Sequence, residues 1–386
     1  MQKQYLLTDD QKDLQLMVRD FAEREIIPNA AAWDIEGKFP MDTFKKAVAM
    51  GLHIMCLPEQ FGGMGLDRMT ACLINEELGY GDAGFATSVG ANMLAYVPLE
   101  LAGTPEQLQI FGDIIAPGEL AAFCLTEAEG GSDASNCHTT AKKIGNEYVI
   151  NGTKAFITNG GIAQVYIVFA VTDPEQGPAG ISAFLVERSR EGVSVGAEEN
   201  KMGIRASNTA EVVFQDVRVP EDHLIGPEGW GFGIAMKTLD RTRPAGSAVA
   251  VGICQRAINE CVAYSKERVV FGRPISKHQA VSFMLADMEI QTTAARQMIH
   301  YSANLMDNGI FDSEICAVAK TLASDAAMSV TTDAVQVMGG YGYSRDYPVE
   351  KLMRDAKIFQ IFEGTNQIQR IVISSALFKK PKNDKK

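Results

Sequence analysis

Residues 354–370 read RDAKIFQIFEGTNQIQR. Within this stretch Glu363 stands between Phe362 and Gly364, and residues 356–362 carry no other carboxylate. An acid is ordinarily placed where water can reach it. Here aromatic bulk precedes the acid, and a Gly-Thr pair breaks the backbone behind it. Two readings stay open on these residues alone. One is a helix that ends at a glycine, with an acid in its last turn. The other is a carboxylate aimed by a turn into a sheltered pocket, where burial would change its titration.

The sequence on the N-terminal side of this stretch is helical in texture. The runs AVAVGICQRAINECVAYSKERV (248–269) and EICAVAKTLASDAAMSVTTDAVQVM (314–338) each exceed twenty residues, and long helices with short connections predict a bundle. Earlier the texture differs. NEYVING, QVYIVFAVT, GISAFLVE and AEVVFQDVRVP are short runs rich in β-branched and aromatic residues, punctuated by Gly, Pro and Asn, which predicts strands. Tyr148 and Ile150 share one strand face, and so do Val212 and Phe214. Before these strands, DQKDLQLMVRDFAEREIIPNA places Leu14, Met17, Val18, Phe21 and Ala22 on one helical face. Pro28 ends that helix, and Thr8 is its expected N-cap. The order is helices, sheet, helices: an N-terminal helical domain over 1–118, a central β-barrel domain over 119–227 and a C-terminal helical bundle over 228–386.

Composition narrows the function. The 386 residues are 46% hydrophobic and 22% charged, with a formal net charge of −12, so no basic stripe is available to neutralise nucleic-acid phosphates. The one basic run, FKKPKNDKK (378–386), reads as a solvated terminus. Seven scattered cysteines include no C-x-x-C pair, and the five histidines form no H-E-x-x-H; reduced thiols and no metal are expected. No apolar run spans a bilayer, and the N-terminus lacks a signal plan, so a cytoplasmic location is expected.

Common nucleotide motifs are absent. There is no G-x-x-x-x-G-K-[ST], EGWGFG misses the dinucleotide spacing, and GGSDA lacks the closing glycine of a nucleophile elbow. Four segments still invite a ligand. CLTEAEGGSDAS (124–135) can present several donors from Thr126, Ser132 and a Gly-Gly backbone. INGTKAFITNGG (150–161) opens on a hairpin signal and places Phe156 and Thr158 where they could flank an aromatic cofactor. SKERVVFGRPISKHQA (265–280) sets Arg268, Phe271 and Arg273 around a glycine. AVQVMGGYGYSRDYPVEKLMRDAKIFQIFEGTNQIQR (334–370) joins a glycine turn to Glu363.

In this order and spacing the four segments resemble the acyl-CoA dehydrogenase family. The resemblance covers essentially the whole chain and is strongest over 240–370. It implies an α-domain, a β-barrel domain and a four-helix C-terminal domain, non-covalent FAD and a homotetramer. The implied activity is removal of a proton from Cα and transfer of a hydride from Cβ to flavin N5, giving a trans-2-enoyl-CoA. Electrons would then pass to an electron-transferring flavoprotein.

The resemblance also implies roles. Glu363, in its E-G-T setting, would be the catalytic base. A related lineage carries the base in the segment corresponding to LDRTRP, where this chain has Thr242. Thr126, Ser132, Phe156, Thr158 and Thr365 would contact the flavin, with Asn366 beside them. Arg268, Phe271, Gln336 and Gly340 would touch the FAD of a neighbouring subunit. Ser132, Asp240, Arg243, Phe362 and Gly364 would meet the substrate. One departure is Ala128, where the family often has proline; a less rigid loop is expected there.

Three rivals share parts of this pattern. An enoyl-CoA reductase acting on a functionalised substrate would run the same chemistry backwards. A flavin- or acyl-CoA-binding protein without turnover would be expected to lose Glu363, and an oxidase would ordinarily be longer. Tyr96 and Leu99, in GANMLAYVPLELAG, are expected to shorten the acyl pocket toward short or medium chains. No Arg or Lys falls between Arg68 and Lys142, which disfavours a dicarboxylyl substrate.

Overall fold

The computed structural model describes residues 7–379; most of the basic C-terminal run, 380–386, lies outside them. Six helices come first: α1 (Asp9–Phe21), α2 (Ala30–Glu36), α3 (Met41–Ala49), α4 (Arg68–Gly81), α5 (Ala83–Ala102) and α6 (Pro105–Ile115). Thr8 caps α1 in a reciprocal box with Gln11, which satisfies two otherwise orphaned backbone donors. A π-helical stretch, Ala22–Ile26, prolongs α1, and the helical path breaks before Pro28.

Eight strands follow: β1 (Ala121–Cys124), β2 (Thr140–Ile144), β3 (Glu147–Thr158), β4 (Val165–Val171), β5 (Ile181–Glu187), β6 (Val193–Glu198), β7 (Thr209–Pro220) and β8 (Leu224–Ile225). They form one sheet in the order β6-β7-β3-β2-β4-β5-β8, with β1 added parallel to β4. Strand β4 is apolar without alternation because both of its faces are covered. Tyr166, Val168 and Ala170 join Tyr148, Ile150, Val212 and Phe214 in the middle region's own core. Val165, Ile167 and Phe169 join the helical core on the other face. One continuous apolar layer thereby fixes the sheet against the helices.

The last region holds α7 (Gly231–Glu267), the short strands β9 (Val269–Val270) and β10 (Arg273–Pro274), α8 (Gln279–Asp307), α9 (Ser313–Met338), α10 (Val349–Ala356) and α11 (Asn366–Leu377). The three-domain architecture of helices, sheet and helices is the one expected. Helix α7 packs against α4, α5, α8 and α9. Two glycines let α4 and α7 touch backbone to backbone. A Cβ at Gly79 would stand 2.5 Å from the Val249 carbonyl oxygen, and one at Gly252 would stand 2.1 Å from that of Glu76. No side chain fits either place. Among the described residues no helix is long and apolar enough to cross a membrane, and no three His, Cys, Asp or Glu side chains converge on a metal position.

Candidate active site

Helix α10 ends at Ala356, a single 3-10 turn covers Lys357–Gln360, and α11 begins at Asn366. Glu363 lies in the irregular link between them, not in a last helical turn. Its φ is +52° and that of Gly364 is +87°. Glycine adopts this left-handed region freely, whereas a glutamate there costs about 1–3 kcal/mol and persists only when its surroundings hold it.

Three helices supply the hold. Gln369 Nε2, in α11, donates to the carbonyls of Glu363 and Gly364 at 3.2 and 3.0 Å. Lys320 Nζ, in α9, donates to the Gly364 carbonyl at 2.8 Å. Arg243 Nε, in α7, reaches the Glu363 carbonyl at 3.4 Å. The Glu363 carboxyl rests against α7 at Gly246, where an added Cβ would stand 3.1 Å from Oε1. Phe362 packs edge-on against Phe359 with ring centroids 4.9 Å apart. This shelter raises the Glu363 pKa to about 7, mainly through loss of hydration. The charges of Arg243 and Lys320 oppose that rise.

The carboxyl opens on a cleft of about 220 Å³ between α5, α7, the 124–135 loop and the end of β3. Thr126, Ser132, Phe156, Thr158, Arg243 and Phe362, all expected at a site, line it, as does Gly364. A register shift in β3 between Lys154 and Ile157 and a φ of +57° at Phe156 turn that ring outward, leaving it 60% exposed; bulges re-aim side chains in this way. The 124–135 loop is fastened through Glu127, which accepts from Lys154 Nζ at 2.7 Å, Thr139 Oγ1 at 2.6 Å and His138 N at 2.7 Å. The Lys154 ammonium, with the hydroxyl and amide donors, holds the Glu127 pKa down at about 2 against the effect of burial.

Other expected residues fall elsewhere. Thr365 caps α11 through Ile368 N at 3.2 Å. Asn366 is buried and bonded to Lys320, Ser324 and Asp325, so its side chain is committed to the protein, contrary to its expected place beside the flavin. Asp240 pairs with Arg243 and accepts from Ser313 Oγ at 2.7 Å, away from the cleft lining. Thr242 borders the cleft, but its hydroxyl donates to Thr238 O at 3.1 Å. Arg268 and Gly340 border a separate concavity of about 600 Å³ with Tyr264 and Tyr341. Phe271 is 92% exposed nearby, and Gln336 is exposed on α9. These four do not meet the first cleft within one chain.

Tyr96 and Leu99 do not bound the cleft. Tyr96 faces Phe111 and a small separate void with His53 and Cys56, and Leu99 is buried in the core. Helix periodicity sends Thr87, Gly90, Ala91 and Leu94 of α5 to the cleft instead. The residues that sequence reasoning missed are Asn75, Gly246, Lys320 and Gln369. Lys320 had a legible signal: it falls on the apolar face of α9 with Cys316, Ala323 and Ala327, where a lysine must find a partner.

Three family models match the chain in succession. They are the N-terminal domain of acyl-CoA dehydrogenase over residues 8–119, the middle domain over 122–217 and the C-terminal domain over 229–378. A probable acyl-CoA dehydrogenase of Mycobacterium tuberculosis is 45% identical over 377 residues, 97% of each chain. Butyryl-CoA dehydrogenase from Megasphaera elsdenii is 43% identical with a TM-score of 0.94, over 97% of this chain and 99% of that one. A chain solved in work on the electron transferring flavoprotein of Acidaminococcus fermentans is 46% identical with a TM-score of 0.95, over 97% and 100%.

Proposed function

The chain belongs to the acyl-CoA dehydrogenase family of flavin-dependent oxidoreductases, and from that premise we propose that it dehydrogenates a short-chain acyl-CoA across Cα–Cβ, with Glu363 as base. The observation that carries this reading is a glutamate held in a left-handed turn, its carboxyl inside the cleft and its pKa near neutrality. An ordinary glutamate, at ~4.3, is a weak base for a thioester α-proton. A carboxylate with a pKa near working pH is a stronger one, and about half of it is still ionised there. Glu363 would take the Cα proton, and its own backbone N–H would donate to the thioester carbonyl as negative charge develops there.

The cleft suits FAD. Thr126, Ser132 and Thr158 offer hydroxyls, Phe156 offers an outward ring, and a Cβ at Gly131 would meet nothing within 4 Å. When bound, FAD supplies the acceptor for the hydride from Cβ. Arg268, Phe271, Gln336 and Gly340 would serve the FAD of a second copy, which fits a homotetramer. An electron-transferring flavoprotein is the proposed partner for reoxidation.

The helices support the short-chain reading. Past Glu363 the cleft follows α7 from Gly246 to Val249, a rise of about 4.5 Å. Val249, which lines it, is also where α7 meets α4 at Gly79. A reach of that length supports an acyl chain of a few carbons. Asn75 lines the cleft as well, its Oδ1 turned toward Gly90, where an added Cβ would stand 3.3 Å away. We expect Asn75→Ala to raise the ratio of kcat/KM for an eight-carbon over a four-carbon acyl-CoA by roughly tenfold. An unchanged ratio would remove Asn75 from the pocket floor. The same polar floor favours, as a second reading, an acyl group with a distal hydrogen-bonding function, processed in the reductive direction.

The deciding experiment is an anaerobic titration of the flavin-loaded enzyme with saturated acyl-CoAs of graded length, following the visible flavin band. Bleaching that is strongest near four carbons supports the reading. A yellow protein that no saturated acyl-CoA bleaches points to the functionalised substrate, and a protein that never holds flavin defeats both.

A further inference from the structure

Lys320 is 2% exposed and sits in the apolar face of α9. Its ammonium donates to the Gly364 carbonyl and to Asn366 Oδ1, both at 2.8 Å. Among the described residues no carboxylate lies within ion-pair distance of Nζ. Burying an ammonium without a paired acid is costly, so a lysine kept there calls for a reason beyond filling space.

We propose that Lys320 is a positioning residue for the base: its ammonium pins the Gly364 carbonyl, holding the left-handed Glu363 turn over the cleft, and its charge favours the carboxylate form of Glu363. The inference rests on the reading of Glu363 as the base. The structure separates its two parts. Gln369 supplies hydrogen bonds to the same turn without charge, at 3.2 and 3.0 Å. Lys320 supplies both a bond and a charge.

The other charges acting on Lys320 come from α7, α11, α9 itself and the turn. Arg243 faces it from α7, Arg370 from α11, Asp325 from α9 itself, and Glu363 from the turn. Asp325 is engaged by Arg370, Gln360 and Asn366. Glu363 is therefore the acid of this group with no hydrogen-bonded cation of its own. Burial and the two arginines lower the Lys320 pKa to about 8, and the two acids oppose them. The ammonium form thus prevails at neutral pH, where Glu363 must ionise.

The test is the pH profile of kcat/KM in flavin-loaded full-length enzyme, for wild type, Lys320→Met, Lys320→Gln and Gln369→Ala. Lys320→Gln keeps an amide donor and removes the charge. Both lysine variants are expected to move the acid limb upward by about one pH unit. At pH 6.5 they should lose roughly tenfold in rate, because the base is protonated over a wider range. Gln369→Ala should lower the rate at all pH values without moving the limb. Profiles of both lysine variants that are only scaled by a constant factor would overturn the electrostatic role. Loss of flavin in both would make Lys320 a folding residue and overturn the proposal as well. If wild type shows no acid limb, the base assignment itself fails, which is a separate outcome from either of these.

Discussion

Glu363→Gln is expected to leave acyl-CoA binding in place and to reduce the rate of flavin bleaching by about 10⁴-fold, near 5.5 kcal/mol of barrier. Glutamine matches glutamate in size and keeps the contact with Gly246, the left-handed turn and its hydrogen bonds to Gln369 and Lys320. The one property removed is the ability to accept a proton. Binding should survive because an amide in a desolvated pocket carries no charge to bury. The wild-type pH profile checks the same claim independently. Glu363 acts as a base only when ionised, and its pKa is raised to about 7. The kcat/KM of the free enzyme should therefore fall about tenfold per unit below pH 7 and level off above it. A glutamine variant that still bleaches at a tenth of the wild-type rate would move the base elsewhere, and Thr242, whose hydroxyl is bonded back to its helix, offers no substitute.

The same site shows what a sequence discloses and what it withholds. Glu363 was noticeable because an acid between Phe362 and Gly-Thr is a local pattern, although its role came from the resemblance and not from that pattern. Phe156 and Thr158 were legible through the resemblance alone: the hairpin signal at Asn151-Gly152 falls inside β3, and a register shift, not regular alternation, turns Phe156 outward. The support beneath them is non-local. Lys320, Gly246 and Gln369 reach Glu363 from three helices, with 120 residues separating Arg243 from the carbonyl it contacts. No periodicity specifies which turn of α9 meets which turn of the link. The misplacement of Tyr96 and Leu99 has a similar cause. Both lie on α5, but the side of that helix facing the cleft is set by α4 and α7 closing at Gly79 and Gly252. Asn366 looked available beside the E-G-T turn until α11 began there and turned the amide inward to Ser324 and Asp325.

Lys351→Met is expected to destabilise the fold by about 3–5 kcal/mol at neutral pH, more than any surface change. Lys351 Nζ lies 2.6 Å from both Asp82 Oδ2 and Asp355 Oδ2. All three side chains are buried, and the two carboxylates hold the Lys351 pKa above its ordinary value despite burial. Each acid has a second duty. Asp82 Oδ1 accepts from Phe85 N at 2.8 Å and so caps α5. Asp355 Oδ1 accepts from Ile204 N at 2.6 Å, fixing a loop of the middle region whose φ is +45° at Ile204. One ammonium therefore ties α10 to the α4–α5 junction and, through Asp355, to the segment before β7. Methionine fills the volume and leaves two carboxylates facing each other without a cation. Removing one partner of a buried ionic group is costly for that reason, more than for the attraction lost. The sign of the pH dependence follows. In the variant one of the two acids gains by taking up a proton, so the deficit relative to wild type should shrink as pH falls from 8 to 5. Urea denaturation of the flavin-loaded enzyme at the two pH values measures it. Asp82→Asn on top of Lys351→Met should recover part of the loss at pH 8, since it removes one of the two uncompensated charges. A deficit that is equal at both pH values, with no recovery in the double variant, would make the triad a matter of packing alone and would leave the reason for three buried charges at this junction to be sought elsewhere.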